Sequence, residues 1–268
     1  MKILPICLLV LLIAGCGSGS NSDGTQPPPA SSHALEAKWT ITTTSHSSTG
    51  DVGLFLINLS YQGNGDYFAP AEQTVACYGS GGISNSECYG KSIEKFMMGR
   101  NATTVQAHLN SDNTVTITAT TDPDGIATCP VVFQLSGSLT GSSMSGTYTN
   151  DCFPDTGSWT AVKSASATGN FSGTLSSEFY MVNLTFSASL QESSTHALTG
   201  TATITNSPCV SNLTFGPPSF AIGGVVYLED PANNAYVFAT PDLTGTNLLY
   251  VLDQTSCTDL GMGTFTRK

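Results

Sequence analysis

An alternation of apolar and polar residues dominates the chain beyond about residue 33. The segments from Thr114 to Thr120 and from Leu198 to Thr205 alternate strictly, and a period of two is typical of a half-buried β-strand. Other runs rich in apolar, β-branched and aromatic residues also predict strands: Ala37 to Thr43, Val52 to Tyr61, Thr104 to Leu109, Val131 to Leu135, Val182 to Leu190, Val225 to Leu228, Ala235 to Ala239 and Leu248 to Leu252. No stretch of twelve or more residues has apolar residues repeating at the 3.6-residue spacing of a helix. Ser92 to Arg100 is the nearest candidate for a short helix.

Turn signals separate these strands. They are Asn64-Gly65, Ser111-Asp112-Asn113, Asp122-Pro123-Asp124-Gly125, Asp230-Pro231 and Asn233-Asn234. Many short strands at this spacing predict an all-β fold, either an antiparallel meander barrel (or barrels) or a sandwich.

A weak internal repeat predicts two related β-halves. A strand, a cysteine-bearing turn and a Gly-Ser/Thr-aromatic-Thr strand occur at Gly146 to Lys163 and again at Leu249 to Lys268. Leu139-Thr140-Gly141 precedes the first copy and Leu243-Thr244-Gly245 precedes the second. We therefore expect a first β-domain over residues 33–165 and a second over 166–268; recurrent hairpin composition is the alternative explanation.

The first fifteen residues have the pattern of a signal peptide. Lys2 is followed by an apolar stretch from Ile3 to Ile13, which is too short to span a bilayer as a helix. The sequence Ile13-Ala14-Gly15-Cys16 resembles the bacterial lipobox. That resemblance implies cleavage before Cys16, a diacylglycerol with palmitate-type chains on its thiol, and a membrane anchor. An ordinary signal peptide that happens to contain a cysteine is the alternative.

The lipobox resemblance also implies a location in the bacterial cell envelope. Position 17 is Gly rather than the Asp that signals inner-membrane retention, so the outer membrane is favoured. Residues 17–32 contain Gly, Ser and three consecutive prolines but no large apolar side chain. We therefore predict that residues 16–32 form the lipidated cysteine followed by a disordered linker.

Composition narrows the set of partners. Charged residues make up 10% of the chain and the formal net charge is −11. So acidic a protein is not expected to bind nucleic acid, nor to adhere to anionic lipid by charge. We expect contact with a membrane through the lipid on Cys16, and an envelope partner or a small apolar ligand for the folded body.

Six cysteines remain beyond Cys16, an even number that suits disulfides in an exported protein. Spacing alone allows 15 connectivities. If the two halves are equivalent, their bridges should be equivalent too. The repeat then selects Cys129–Cys152 and Cys209–Cys257, which leaves Cys77–Cys88 as a third pair. A metal site is the rival reading, but CxxC and paired-histidine patterns are lacking, so we predict none.

Sequence motifs for catalysis are lacking. There is no Gly-x-Ser-x-Gly, His-Glu-x-x-His, phosphate loop or dinucleotide fingerprint. The four histidines, His33, His46, His108 and His196, are scattered. The carboxylate pairs are Glu229-Asp230, which point to opposite faces of a strand, and the loose pair Asp151 and Asp155. We therefore expect no catalytic residue, no cofactor and no enzymatic activity.

The strand and turn pattern of residues Leu109 to Lys163 and Thr168 to Lys268 resembles uncharacterised Ser/Thr-rich envelope lipoproteins of soil bacteria such as acidobacteria. The resemblance implies a meander β-fold of lipocalin-like appearance and no established activity, although the lipocalin Gly-x-Trp is missing before Trp39. We expect an envelope binding or scaffold module. The alternatives are a surface adhesion or structural module, and a glycan-directed hydrolase.

Overall fold

A computed structural model describes residues 33–46, 52–79, 103–121, 131–151, 155–241, 246–254 and 257–268. Most of these residues lie in antiparallel strands, which confirms the predicted all-β meander fold. The helical structure in these ranges is one 3-10 turn, Ala71–Gln73. Helices that could cross a bilayer are absent from the same ranges.

Within the described ranges, eighteen strands form two nine-stranded sheets. The first sheet contains β1 (Ala37–Ser45), β2 (Val52–Gly63), β3 (Asp66–Ala69), β4 (Thr74–Gly79), β5 (Thr104–Leu109), β6 (Thr114–Thr121), β7 (Val131–Thr140), β8 (Ser143–Asn150) and β9 (Asp155–Lys163). The second contains β10 (Gly169–Ser177), β11 (Asn183–Glu192), β12 (Leu198–Thr205), β13 (Asn212–Phe215), β14 (Phe220–Ile222), β15 (Val225–Asp230), β16 (Ala235–Pro241), β17 (Thr246–Gln254) and β18 (Cys257–Arg267).

The first sheet closes on itself as a barrel. Strand β1 pairs with both β2 and β9, and the strands from β5 to β9 pair in chain order. Strands β3 and β4 lie on either side of the 3-10 turn and pair with the two ends of β2, so together they occupy one position in the ring. Eight strand positions leave an interior that side chains can fill.

The second sheet is a half-barrel that is open at one seam; for brevity we call it the second barrel. Its first strand, β10, pairs with its last, β18, but its sheet order ends at β13 on one side and β14 on the other. Across that seam the Thr214 amide donates a 2.8 Å hydrogen bond to the Asp230 carboxylate.

The two sheets end in the same way. The last hairpin of each sheet, β8–β9 and β17–β18, returns the chain to the first strand of that sheet.

Strand β10 lies in a segment for which the sequence indicated no strand. It contains two glycines and four Ser or Thr residues, so its apolar alternation is weak. A Cβ at Gly173 would lie 1.8 Å from the Thr264 carbonyl oxygen, so the close approach of β18 requires glycine there. The short strands β3, β4, β13 and β14 were also missed. The segment Ser92 to Arg100, the nearest candidate for a short helix, and the predicted turn at Asp122 to Gly125 lie outside the described residues.

Candidate interaction site

The two sheets meet along the outer face of β2. Phe55 and Ile57 point into the first barrel, so by alternation Leu54 and Leu56 point outward. Leu54 and Leu56 are nevertheless buried, in a small apolar cluster. We call this contact between the sheets the junction; its buried apolar residues are Leu54, Leu56, Val75, Ile222 and Val225.

Hydrogen bonds fix the junction in register. The Asn58 amide donates to the Ala221 carbonyl at 2.9 Å and accepts from the Gly223 amide at 3.1 Å. The Gly224 amide donates to the Thr40 hydroxyl at 3.1 Å. Because both the oxygen and the nitrogen of the buried Asn58 side chain are used, this contact is specific to one arrangement of the β14–β15 turn.

A buried ion pair lies beside the same contact. The Lys38 ammonium is 2.7 Å from a Glu192 carboxylate oxygen, and both side chains are only 4% exposed. Glu192 also accepts from the His196 ring at 2.6 Å and from the Ala167 amide at 2.5 Å. Burial opposes ionisation, yet the hydrogen bonds from His196, Lys38 and Ala167 lower the pKa of Glu192 to about 2. With its carboxylate oxygens engaged, Glu192 serves as a structural group.

The interior of the first barrel is filled by packed side chains. Trp39, Trp159 and Tyr148 are at most 2% exposed. The Phe133 ring lies 5.1 Å from that of Phe55 and 5.8 Å from that of Tyr148, distances typical of direct aromatic contact. This packing leaves the central positions to the protein's own rings rather than to a bound molecule.

The second barrel carries an unusual apolar surface at one hairpin. Four consecutive residues between β10 and β11 are exposed: Phe179 by 62%, Tyr180 by 40%, Met181 by 90% and Val182 by 38%. We call these four residues the apolar tip. Scattered exposed apolar residues are normal, but a contiguous group of this kind marks a surface for interaction.

A disulfide braces the apolar tip. Cys209 and Cys257 are joined, with their Cα atoms 5.7 Å apart; these are two cysteines that the sequence repeat pairs. The Tyr180 hydroxyl lies 3.0 Å from the Cys257 sulfur and 3.5 Å from that of Cys209. The loop before β13 and the β17–β18 hairpin are thereby held against the back of the tip.

Buried polar groups hold the base of the tip. The Ser177 hydroxyl donates to the buried Asp259 carboxylate at 2.6 Å and accepts from the Tyr180 amide at 3.1 Å. The Glu178 amide donates to the Leu260 carbonyl at 2.8 Å. Met181 itself has a φ of +54°, in the left-handed region that a methionine rarely adopts. The hydrogen bonds of Ser177 and Glu178 therefore hold the backbone of the tip in one conformation.

A second surface feature is an open groove on the outer face of β10–β12. It has a volume of about 320 Å³ and is lined by Phe171, Ala188 and Ala202 together with polar residues. Its polar side chains are those of Asn170, Ser187, Ser189, Thr201, Thr203 and Lys268. It is shallow and carries no buried polar group aimed into it.

Three of the four carboxylates that the sequence grouped in pairs are used structurally. Asp155 accepts from the Tyr148 hydroxyl at 2.5 Å and from Ser45 at 2.7 Å, whereas Asp151 is exposed. Glu229 accepts from the Tyr227 hydroxyl at 2.6 Å. Asp230, in contrast, caps the turn that follows β15 by accepting from backbone and side-chain amides.

The histidines are dispersed in the fold. His33, His108 and His196 each lie within 2.7 Å of a different carboxylate, those of Glu36, Asp66 and Glu192 respectively. Groups of three or more side chains suited to a metal ion are absent from the described ranges. Cys16, Cys88, Cys129 and Cys152 lie outside those ranges, and so do the predicted bridges Cys77–Cys88 and Cys129–Cys152.

The sequence motifs predict neither the junction nor the apolar tip. The junction had a signal: Leu54-Phe55-Leu56-Ile57 is a continuous apolar run, typical of a strand covered on both faces. The tip also has a signal in the sequence. Four consecutive apolar residues, Phe179-Tyr180-Met181-Val182, directly precede a strand whose own alternation supplies its buried face without them. The sequence predicts a strand that begins at Val182, whereas β11 begins at Asn183.

Comparison with protein-family models gives no match, and comparison with curated proteins gives none. Among solved structures, the chain is similar to a Bacteroides fragilis protein that carries a provisional designation as an outer membrane protein. The two are 10% identical, with 88% of this chain and 99% of that chain covered and a TM-score of 0.27. A likeness at that TM-score carries no argument about function.

Proposed function

We propose that the chain is a lipid-anchored protein of the bacterial cell envelope, at the outer membrane, and that its β-body is a scaffold that binds through its outer surface. The lipobox-like sequence before Cys16 supports the anchor, and the disulfide Cys209–Cys257 is in keeping with an exported protein. The acidic, weakly charged composition agrees with a role that does not involve nucleic acid.

The observation that carries the scaffold role is the contrast between interior and surface. In the described part of the first barrel, Trp39, Trp159 and Tyr148 occupy interior positions at which a hollow barrel would hold a ligand. Apolar side chains are instead presented outside, at the apolar tip. Binding at the surface therefore accounts for the exposed groups better than binding of a small apolar molecule inside the barrel.

We further propose that this role is not catalytic. Asp155, Glu192 and Asp230 are buried or nearly so, and each is committed to hydrogen bonds that hold strands, the junction or turns together. A general acid or base needs a carboxyl group that can reach a substrate. These three carboxyl groups are used to hold the fold.

Cell fractionation tests the anchored scaffold. The full-length chain and its Cys16→Ala variant are expressed in a diderm bacterium, and envelopes are washed at high salt and separated from soluble protein. We expect the wild type in the outer-membrane fraction and the variant chiefly outside it. Equal distribution of the two proteins would remove the basis for the anchor, provided that both are exported.

A surface adhesion or structural module is the second candidate, favoured by the outer face of β10–β12. Its outward residues, such as Ser172, Thr174, Thr185 and Thr203, are uncharged and hydroxyl-rich, which suits contact with a neutral polymer. Native mass spectrometry separates both surface roles from interior binding. A small molecule retained in several preparations would contradict them, whereas a clean protein mass agrees with both.

A further inference from the structure

The apolar tip is built to stay exposed. Met181 is 90% exposed and Phe179 is 62% exposed. The turn that presents them is held by the hydrogen bonds of Ser177 and by the contact of Tyr180 with the disulfide. A rigid, protruding apolar hairpin can insert into a bilayer or into a groove of a partner protein and lose little conformational entropy on binding.

The charges of the described residues limit the kinds of partner that the tip can bind. Between Ser177 and Asn183 the one charged residue is Glu178. The described cations are near the opposite end of β10, where Lys163 pairs in register with Trp39 and Arg267 with Phe171. The tip therefore lacks the cations that attract acidic partners or anionic headgroups, and its binding must depend on apolar contact.

The chain that precedes the described residues brings a bilayer within reach. Sixteen residues separate Cys16 from His33, with a fully extended length of at most roughly 55 Å. Strand β10, which runs from near the junction to the tip, has nine residues and spans roughly 30 Å. A protein anchored through Cys16 can thus lie along the membrane with the tip against the same bilayer.

From this geometry we propose that the apolar tip inserts into the uncharged interfacial layer of the bilayer that holds the lipid anchor, and so fixes the orientation of the β-body. Phe179 and Met181 expose the apolar side chains that suit that layer. Tyr180 supports the turn, because its hydroxyl lies against the disulfide. A protein interface surrounds its apolar centre with a polar rim, whereas this tip projects as a convex turn. The inference rests on the lipid anchor of the proposed function.

Tryptophan quenching tests the insertion. The chain has two tryptophans, Trp39 and Trp159, which are 0% and 1% exposed, so both are shielded from lipid and give a constant background. The mature, lipidated Phe179→Trp protein is reconstituted into phosphatidylcholine vesicles with and without brominated acyl chains. The matched control is Val162→Trp, since Val162 is 59% exposed on the outer face of β9, away from the tip.

We expect brominated lipid to quench the added fluorescence at position 179 roughly two-fold and to leave that at position 162 nearly unchanged. Adding Met181→Asp to Phe179→Trp should abolish most of the quenching, because an aspartate is costly to place below the headgroups. Equal quenching at positions 179 and 162, or none at either, would overturn the insertion.

The same vesicles separate this inference from the proposed function. If the lipidated protein floats with the vesicles but position 179 is not quenched, the anchor stands and the insertion of the tip is wrong. Crosslinking of position 179 to an envelope protein in that case would assign the tip to a protein partner instead. If the mature protein carries no lipid and does not float, the proposed anchor itself fails.

Discussion

The Lys38 ammonium lies 2.7 Å from the Glu192 carboxylate, and this ion pair joins two β-sheets across 154 residues of sequence. Both side chains are nearly inaccessible to water. Removing one partner from a buried pair leaves an uncompensated charge, which costs more than the pair itself contributes. The junction should therefore respond strongly to changes at either residue.

Lys38→Met should lower the free energy of unfolding by about 3 kcal/mol, because the Glu192 carboxylate would stay buried without its cation. Urea unfolding followed by circular dichroism measures the change. The control is Lys163→Met, which removes an exposed lysine at the end of β9 and should change stability by less than about 0.5 kcal/mol. Similar losses for the two variants would show that the ion pair does not stabilise the junction.

Acid should weaken the fold partly through Glu192. Its folded-state pKa of about 2 is below the ordinary value of 4.5, so its contribution is complete above pH 4.5 and is lost as the pH falls toward 2. The difference in unfolding free energy between wild type and Glu192→Gln should shrink over that window by up to about 3 kcal/mol. A difference that stays constant between pH 5 and pH 2 would contradict a lowered pKa.

Gly223→Ala should loosen the junction. Gly223 has a φ of +52°, and an added Cβ would lie 2.8 Å from the Trp39 carbonyl oxygen. We expect a loss of about 1–3 kcal/mol from strain and overpacking. Gly216→Ala is the control, since a Cβ there has no neighbour within 4 Å. Thermal unfolding measures both variants, and a Gly223→Ala protein as stable as Gly216→Ala would place the two sheets further apart than described here.

Replacing both Cys209 and Cys257 with serine should destabilise the second barrel by roughly 4 kcal/mol, the chain-entropy value for the separation of 48 residues. Hydrogen exchange should also increase at residues 178–182, because the contact of Tyr180 with the sulfurs is lost. Tyr180→Phe keeps the disulfide and should affect only that local exchange. Unchanged exchange in the double serine variant would mean that the bridge does not brace the tip.

Much of the fold was predictable because the two faces of its strands differ. Val115, Ile117 and Ala119 point into the first barrel and the threonines between them point outward, which produces the period of two. The return of β9 and β18 to the first strand of each sheet also left a signal, since Trp159 and Phe265 occupy similar buried positions in the repeated motif.

The candidate site was not predictable in the same way. Strand β10 is placed by backbone pairing with β11 and β18 and by close approach at Gly173, which apolar periodicity does not report. The Lys38–Glu192 pair depends on how the two sheets pack against each other, and the spacing of residues along the sequence does not indicate that packing. The exposure of Met181 depends on a support made from Ser177 and Asp259, which are 82 residues apart.

The mass of the mature N-terminal peptide tests the anchored scaffold most directly. The protein is isolated from the envelope of an expressing diderm bacterium, digested, and its N-terminal peptide is sequenced by tandem mass spectrometry. The account predicts a peptide that begins at Cys16 with a diacylglycerol on the thiol. A mature N-terminus at another residue, or an unmodified Cys16 thiol in the membrane-bound protein, would contradict it.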